Sequence, residues 1–398
     1  MTITALVLAD APTKLWGLNS RERLRRQLRE VGGVSWSGAE TDLPGSGQVL
    51  LLNGHYLFEL RTLQGLLAHP DSVLIAPTDG KPAAALVDAA RIGEIVDYMA
   101  QPDSLLPSGL SRLEPGELAA FNEVLRSAQP PLLELITEAR RDELENLLYG
   151  NAYKGITDLV TKFLWPRPAR HLVRWCARLG LSPNAVTSIG LLLVLAVSWL
   201  FLQGQYSAGL LAGWLMTLLD TVDGKLARAT IQSSPFGHLY DHAIDLVHPP
   251  FWYIFWGMSL ASPPDFLGLD FSAQCWLLIG AYVLGRVAEG VFVLLGQCNI
   301  FTWRPFDAWF RLVTARRNPC LILLTLSVLI GRPGWGFTAV VGWSALTTGV
   351  LLLRLLQGLA VRLASGPLTS WLSARGVAFG PHAYSFRVFG GTRGAFRA

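Results

Sequence analysis

Two kinds of hydrophobic patterning divide the chain. Up to about residue 130, apolar residues fall in short runs: Ile3 to Ala9, Val49 to Asn53 and Ser72 to Ala76. Runs of that length suit parallel strands covered on both faces. Between the first two lies SRERLRRQLREVGG, in which Leu24, Leu28 and Val31 share one helical face and Gly32–Gly33 ends the helix. From Asn184 onward the apolar stretches are far longer, each near the ~20 residues that cross a bilayer.

The alternation of strand and helix in residues 1–130 predicts a soluble α/β domain with a three-layer, Rossmann-like sheet. Six spans are expected in the all-α second half, at about 184–203, 206–226, 237–260, 273–298, 313–331 and 337–362. Residues 131–182 link the halves, and 366–398 form a tail beyond the membrane part, 183–365. The linker begins with a mixed-charge stretch, PLLELITEARRDELENLLYG, expected to be helical. Lys154, Lys162, Arg167, Arg170, Arg174 and Arg178 follow, interleaved with Phe163, Leu164, Trp165, Leu172, Val173 and Trp175. That mixture fits an amphipathic helix on a lipid surface; a solvated basic linker is the plainer alternative.

Composition agrees with a membrane part, since 51% of the 398 residues are hydrophobic and only 16% charged. A net charge of +4 gives no case for nucleic acid. Gly204–Gln205, PPD at 263–265 and RPGWG at 332–336 separate spans on a side holding one basic residue, Arg332. The opposite side carries the basic linker, Lys225, Arg228, Arg304, Arg311, Arg316, Arg317 and the Arg-containing tail. Positive charge retained inside puts both termini in the cytoplasm, in an inner or plasma membrane. The N-terminal MTITALVLADAPTK has neither the basic start nor the apolar run of a signal peptide. Cys176, Cys275, Cys298 and Cys320 have no metal or disulfide spacing and read as small core residues.

The second span runs into LLDTVDGKLARATIQSSPFGHLYDHAIDLVHPP. Ionisable residues at a membrane edge are costly and are functional candidates by default. Asp220 and Asp223 are three apart, Asp241 and Asp245 four apart, so each pair shares a helix face. The loop at Ser233, Ser234 and Pro235 can fold the second helix back on the first, bringing four carboxylates into one cleft. Such a cluster needs a cation, and Mg²⁺ or Mn²⁺ suits hard oxygen ligands and phosphate chemistry. Gly224 and Ala227 leave room for a nucleotide against the helix backbone. Arg228 adds a permanent cation for a phosphate oxygen.

The pattern Asp220-x2-Asp223-Gly224-x2-Ala227-Arg228-x8-Gly237-x3-Asp241-x3-Asp245 resembles the signature of the CDP-alcohol phosphotransferases at every fixed position. SPNAVTSIG, with Pro183, Asn184 and Thr187, is similar to that family's entry into its first membrane helix. The resemblance covers about residues 155–365. It implies that Asp220, Asp223 and Asp241 hold a pair of divalent metals with help from Asp245. Gly224, Ala227, Arg228 and Gly237 would form the CDP pocket, with Asn184 and Thr187 nearby. Asp245 would act as the general base toward the acceptor hydroxyl. The implied reaction moves a phosphatidyl group from CDP-diacylglycerol to an alcohol or phosphorylated alcohol, releasing CMP. Transfer from a soluble CDP-polyol and a non-catalytic scaffold or transporter are the alternatives; a homodimer is left open.

Other polar groups lie close in sequence. His238 and His248 share a stripe with Asp241 and Asp245, fitting a role beside the acceptor or plain hydrogen bonds within the helix. Arg316 and Arg317 open the fifth span and are candidates to grip an acceptor phosphate, or are simply topology anchors. Arg286 and Glu289, three apart, are placed to pair.

The order of elements in the first domain is similar to nucleotidyltransferases, but its chemistry residues are missing. In LVLADAPTKLWGL, Asp10, Ala11 and Pro12 stand where glycines would cradle a triphosphate, and Lys14 alone remains. His55 and Tyr56 stand where a metal-binding Asp is expected, and TDGKPAAALV keeps only the look of a substrate strand. An inactive relative, kept for docking or oligomer contacts, is the expectation.

Overall fold

The computed structural model describes residues 3–38, 45–101, 105–118, 121–122, 125–128, 130–262, 264–373 and 380–391, so Pro263 of the second separator and much of the tail lie outside the described residues. In chain order the first part runs β1 (Ile3–Asp10), α1 (Ser20–Val31), β2 (Val34–Trp36), β3 (Gln48–Gly54), β4 (Tyr56–Phe58), α2 (Leu60–Leu67), β5 (Ser72–Ile75), β6 (Pro82–Asp88), α3 (Ile92–Ala100) and β7 (Ser111–Leu113). A small hairpin of β8 (Phe121–Asn122) and β9 (Ser127–Ala128) and a short β10 (Leu133–Leu135) follow. Asn19 caps α1 by accepting from the Glu22 amide, and Gly32 takes a left-handed φ of 73° to leave it.

Six strands form one sheet in the order β2-β1-β3-β6-β5-β7. Alternate side chains of its strands feed two cores. Ala5, Val7, Leu50 and Leu52 pack under Leu24, Leu28, Leu63 and Leu66 of α1 and α2. Leu6, Val49, Leu51 and Val73 pack under Ile95 of α3. The three runs read as parallel strands, β1, β3 and β5, point the same way, and β1 pairs parallel with β2 and β3. The strand that breaks the parallel pattern is β6, antiparallel between β3 and β5. The cause is local: Asp79–Gly80, with Gly80 at φ 72°, closes a tight turn between β5 and β6.

A correction concerns residues 131–150. Leu133–Leu135 is a strand paired antiparallel with β4, and Ile136 N–H donates to His55 O at 2.8 Å. Helix begins only at α4 (Arg141–Asn151). Burying Leu132 and Leu133 outweighs local helical preference at the start of this stretch.

A π-helical turn (Val160–Leu164) and α5 (Pro166–Arg178) lead into the helical part. Phe163, Leu164 and Trp175 are exposed there while Ala169 and Val173 are buried, so this segment offers apolar surface outward as well as inward. Then come α6 (Pro183–Leu202), α7 (Tyr206–Ala229), α8 (Pro235–Met258), α9 (Phe271–Gly296), α10 (Ile300–Trp303), α11 (Pro305–Val313), α12 (Arg317–Leu329), α13 (Pro333–Ser365) and α14 (Ala383–Phe389). Among the described residues, α6, α9 and α13 are long and apolar enough to cross a membrane, and α11 with α12 makes a fourth if that pair, bent by 44°, counts as one span. The fifth expected span is thus shorter and broken: the chain leaves helix at Thr314, and α12 has 13 residues. Leu192, Leu195 and Trp199 on α6, Leu294 on α9 and Leu363 on α13 are exposed, as lipid-facing side chains would be. Inside, Trp252 and Trp256 of α8 pack with Phe201, Leu321 and Phe337.

The two parts share a core. Trp16 of the first domain is buried with Tyr149, Tyr153, Val173, Val222, Leu226 and Ala229.

Candidate active site

The sharp reversal between α7 and α8 builds the site. Thr230 ends α7, and Ile231 adopts a left-handed φ of 50°. Ser234 then caps α8 by accepting from the Gly237 amide at 3.0 Å, with Pro235 pre-set in the first turn. The returning helix brings Asp241 and Asp245 to Asp220, and one ligand oxygen from each lies within 4.8 Å of the others.

Arg317, at the start of α12, closes the group. Its guanidinium donates to Asp245 Oδ1 at 2.5 Å and to Asp220 Oδ2 at 2.6 Å. Arg316 turns elsewhere and donates to Glu289, which also pairs with Arg286 at 2.8 Å. The two adjacent arginines, taken together from sequence, thus serve different carboxylates.

Asp223 stands apart from the three-carboxylate group. It is buried, its Oδ2 accepts from Thr187 Oγ1 at 2.7 Å and its Oδ1 from the Gly224 amide at 2.5 Å. The Thr187 bond ties the first turn of α6 to α7, and Thr187 Oγ1 also lies 3.1 Å from Pro183 O in its own helix. Asn184 lies on the same turn, against Gly237: a Cβ on Gly237 would meet Asn184 Oδ1 at 2.6 Å. The glycine permits the close crossing of α6 and α8. At Gly224 a Cβ would meet Arg228 Nη2 at 3.2 Å, and Arg228 Nε donates to Ala152 O at 2.9 Å. Ala227 sits between them, half-buried.

Sequence reasoning passed over two cations. Lys225 is buried with its ammonium 3.8 Å from the Tyr153 ring centroid, a contact foreshadowed only by the tyrosines at 149 and 153, one helical turn apart. Lys154, from the linker, is an electrostatic partner of Asp241. Solvent reaches it, yet the protein around it desolvates the ammonium. That desolvation, then Arg126, Arg228 and Arg311, push its pKa down to about 8. His248 donates Nδ1–H to Ile244 O at 2.6 Å and packs on Trp252, the bond of an ordinary helix residue; His238 lies beside His242.

The donor set suits a small divalent ion. Three carboxylates from two helices offer hard oxygens within 4.8 Å of one another, near enough to share one small divalent ion. Carboxylates so crowded need a cation, and Arg317 alone reaches only two of them.

The chain is similar to known proteins. The family model for CDP-alcohol phosphatidyltransferase matches residues 180–364, which is α6 to α13. Archaetidylinositol phosphate synthase of Pyrococcus horikoshii is 41% identical over 80 residues, 20% of this chain and 42% of that protein. Cholinephosphotransferase 1 of Gallus gallus is 29% identical over 127 residues, 29% of this chain and 36% of that one. Phosphatidylinositol phosphate synthase of Mycobacterium marinum is 30% identical over 106 residues, 25% and 45% of the two chains. The chain spans less than half the length of each of these relatives. Together with its apolar helices this makes it an integral membrane protein. Residues 180–364 of this chain belong to the CDP-alcohol phosphatidyltransferase family.

Proposed function

We propose that this protein transfers a phosphate-linked group from a CDP donor to an alcohol, releasing CMP, in phospholipid synthesis. The observation that carries the reading is the meeting of Asp220 with Asp241 and Asp245 at the mouth of α12. Asp220, Asp241 and Asp245 would hold Mg²⁺ or Mn²⁺, with Asp223 completing a two-metal site. When bound, such ions stabilise charge on the donor diphosphate by Lewis-acid action.

The chain's own residues do the rest. Gly224, Ala227 and Gly237 would form the donor pocket with Asn184, Thr187 and Arg228; Asn184 lies against Gly237 and Arg228 against Gly224, which puts their polar groups where the donor would be held. Asp245 takes the acceptor hydroxyl proton as the oxygen attacks phosphorus and the bond to CMP breaks. Arg317 orients that carboxylate. Six helices, α6 to α9 with α12 and α13, would cross the membrane, leaving termini and active site in the cytoplasm, with α5 lying on the lipid surface.

CDP-diacylglycerol is the favoured donor and a phosphorylated alcohol the favoured acceptor. Two relatives named for inositol phosphate products support this, as does the position of Arg316, next in sequence to the cluster's Arg317 and paired with Glu289 rather than with the cluster. A soluble CDP-alcohol donor is the second reading, supported by the relatives named cholinephosphotransferase. The test is purified protein with CDP-diacylglycerol or CDP-polyols, Mg²⁺ or Mn²⁺ and a panel of alcohols, with products read by mass spectrometry. No CMP from any combination would point to a scaffold or transporter.

A further inference from the structure

The LWGL segment, Leu15 to Leu18, lies where a related nucleotidyltransferase would carry its phosphate loop, and here it forms a different object. Leu15 and Leu18 exchange backbone hydrogen bonds at 2.9 and 3.1 Å, while Trp16 and Gly17 take positive φ of 50° and 77°. This tight turn pushes the Trp16 side chain out of its own domain. Trp16 is 3% exposed and packs in the cluster with Val222, Leu226 and Ala229, on the last two turns of the aspartate-bearing α7. Glu145 of α4 fixes it, accepting from the Trp16 amide at 3.0 Å and taking its indole N–H on the backbone carbonyl at 3.1 Å.

Helix α1 continues the grip. Arg23 is 3% exposed and donates to Leu15 O at 2.9 Å and Ala229 O at 3.1 Å. Arg26, held by Glu22, donates to Thr230 O at 3.0 Å. Ala229 and Thr230 are the end and C-cap of α7, where carbonyls lack helical partners and the helix dipole favours cations. Burial pushes Arg23 down to about 10, which still leaves it cationic at neutral pH. Immediately beyond, the chain reverses into α8. The geometry of that reversal decides how Asp220, nine residues or about 14 Å before the end of α7, faces Asp241 and Asp245.

We propose that the first domain is a positioning element for the transferase site: Trp16, Arg23 and Arg26 clamp the end of α7 and its turn into α8, and so set the spacing of the two halves of the aspartate cluster. The turn that stands in a phosphate loop's place is thereby a docking wedge. This inference rests on the transferase reading for its consequence, but the clamp can be tested without turnover.

The full chain, purified in detergent, is titrated with Mn²⁺ alone and followed by electron paramagnetic resonance, for wild type, Trp16→Ala and the double variant Arg23→Gln/Arg26→Gln. Mn²⁺ affinity is expected to fall about tenfold or more in both variants. With a working donor and acceptor, the donor KM and the metal requirement should rise while the acceptor KM stays within about twofold, a split that general loosening would not give. Arg23→Lys/Arg26→Lys should restore part of the loss. If the double variant loses its cooperative melting transition, Arg26→Gln alone, which gives up one half-buried carbonyl contact, is read in the same way. Wild-type Mn²⁺ affinity in folded variants overturns the clamp. Failure of the transferase reading would show separately, as no CMP release by wild-type protein that binds Mn²⁺ normally.

Discussion

Thr187 Oγ1 donates to Asp223 Oδ2 at 2.7 Å, joining the first turn of α6 to the middle of the acidic stretch of α7. Both groups are buried, so the carboxylate has given up water for this bond and for the Gly224 amide. A threonine in the opening turn of one helix therefore fixes the rotamer of a carboxylate on another.

Replacing Thr187 by Val keeps the shape and removes the donor. A hydrogen bond to a charged group is worth about 1.5–3 kcal/mol, so kcat/KM for the CDP donor should fall roughly ten- to a hundredfold. Thr187→Ser should retain most activity. Steady-state CMP release against donor concentration checks both. Wild-type kinetics in the Val variant would mean that Asp223 needs no orientation from α6.

Gly237→Ala places a methyl group 2.6 Å from Asn184 Oδ1, closer than real contacts allow. The variant should weaken donor binding, because the Asn184 amide must turn aside or α8 must shift away from α6 with Asp241 and Asp245 aboard. Adding Asn184→Ala should recover part of it by vacating the space, to a level set by what Asn184 itself contributes. A double-mutant cycle on CDP affinity measures this. Strict additivity of the two losses would refute the steric account.

The three clustered carboxylates should divide by role. Asp220→Asn should abolish turnover and weaken metal-dependent CDP binding strongly. Asp245→Asn should abolish turnover while leaving nucleotide binding largely in place. Calorimetry with CDP and Mg²⁺, with and without chelator, separates the two. Near-normal turnover in Asp245→Asn would remove its role as base.

Arg316 and Arg317 should separate as well. Arg317→Gln leaves two carboxylates without their guanidinium partner, so kcat should fall more than tenfold whichever acceptor is used. Arg316→Gln leaves Glu289 with Arg286 and should act mainly on the acceptor KM, raising it several-fold if the acceptor carries a phosphate. Equal effects of the two on donor and acceptor constants would contradict this division.

The first domain, within the intact chain, should release no pyrophosphate from CTP with a panel of sugar or polyol phosphates. Its LWGL turn points a tryptophan at α7 where a phosphate cradle would need free backbone amides. Robust release would restore the possibility that the protein makes its own soluble donor.

The local features of this protein are written in its sequence. The shared faces of Asp220 with Asp223 and of Asp241 with Asp245 follow from helical periodicity, the strands β1, β3 and β5 from short apolar runs, and the end of α1 from Gly32. The Asp79–Gly80 turn was equally legible, and reading it would have given the antiparallel β6.

Tertiary structure decided what no window of sequence contains. Leu133–Leu135 became a strand only because β4 offered it an edge. Arg317, 72 residues beyond Asp245, reached the cluster while its neighbour Arg316 turned to Glu289. Trp16 and Arg23 found the end of a helix more than 200 residues away. Periodicity says which residues share a face, because backbone geometry repeats within an element. Which faces then meet depends on how much apolar surface and how many orphan polar groups each pairing satisfies over the whole chain, and that sum exists only once the chain has folded.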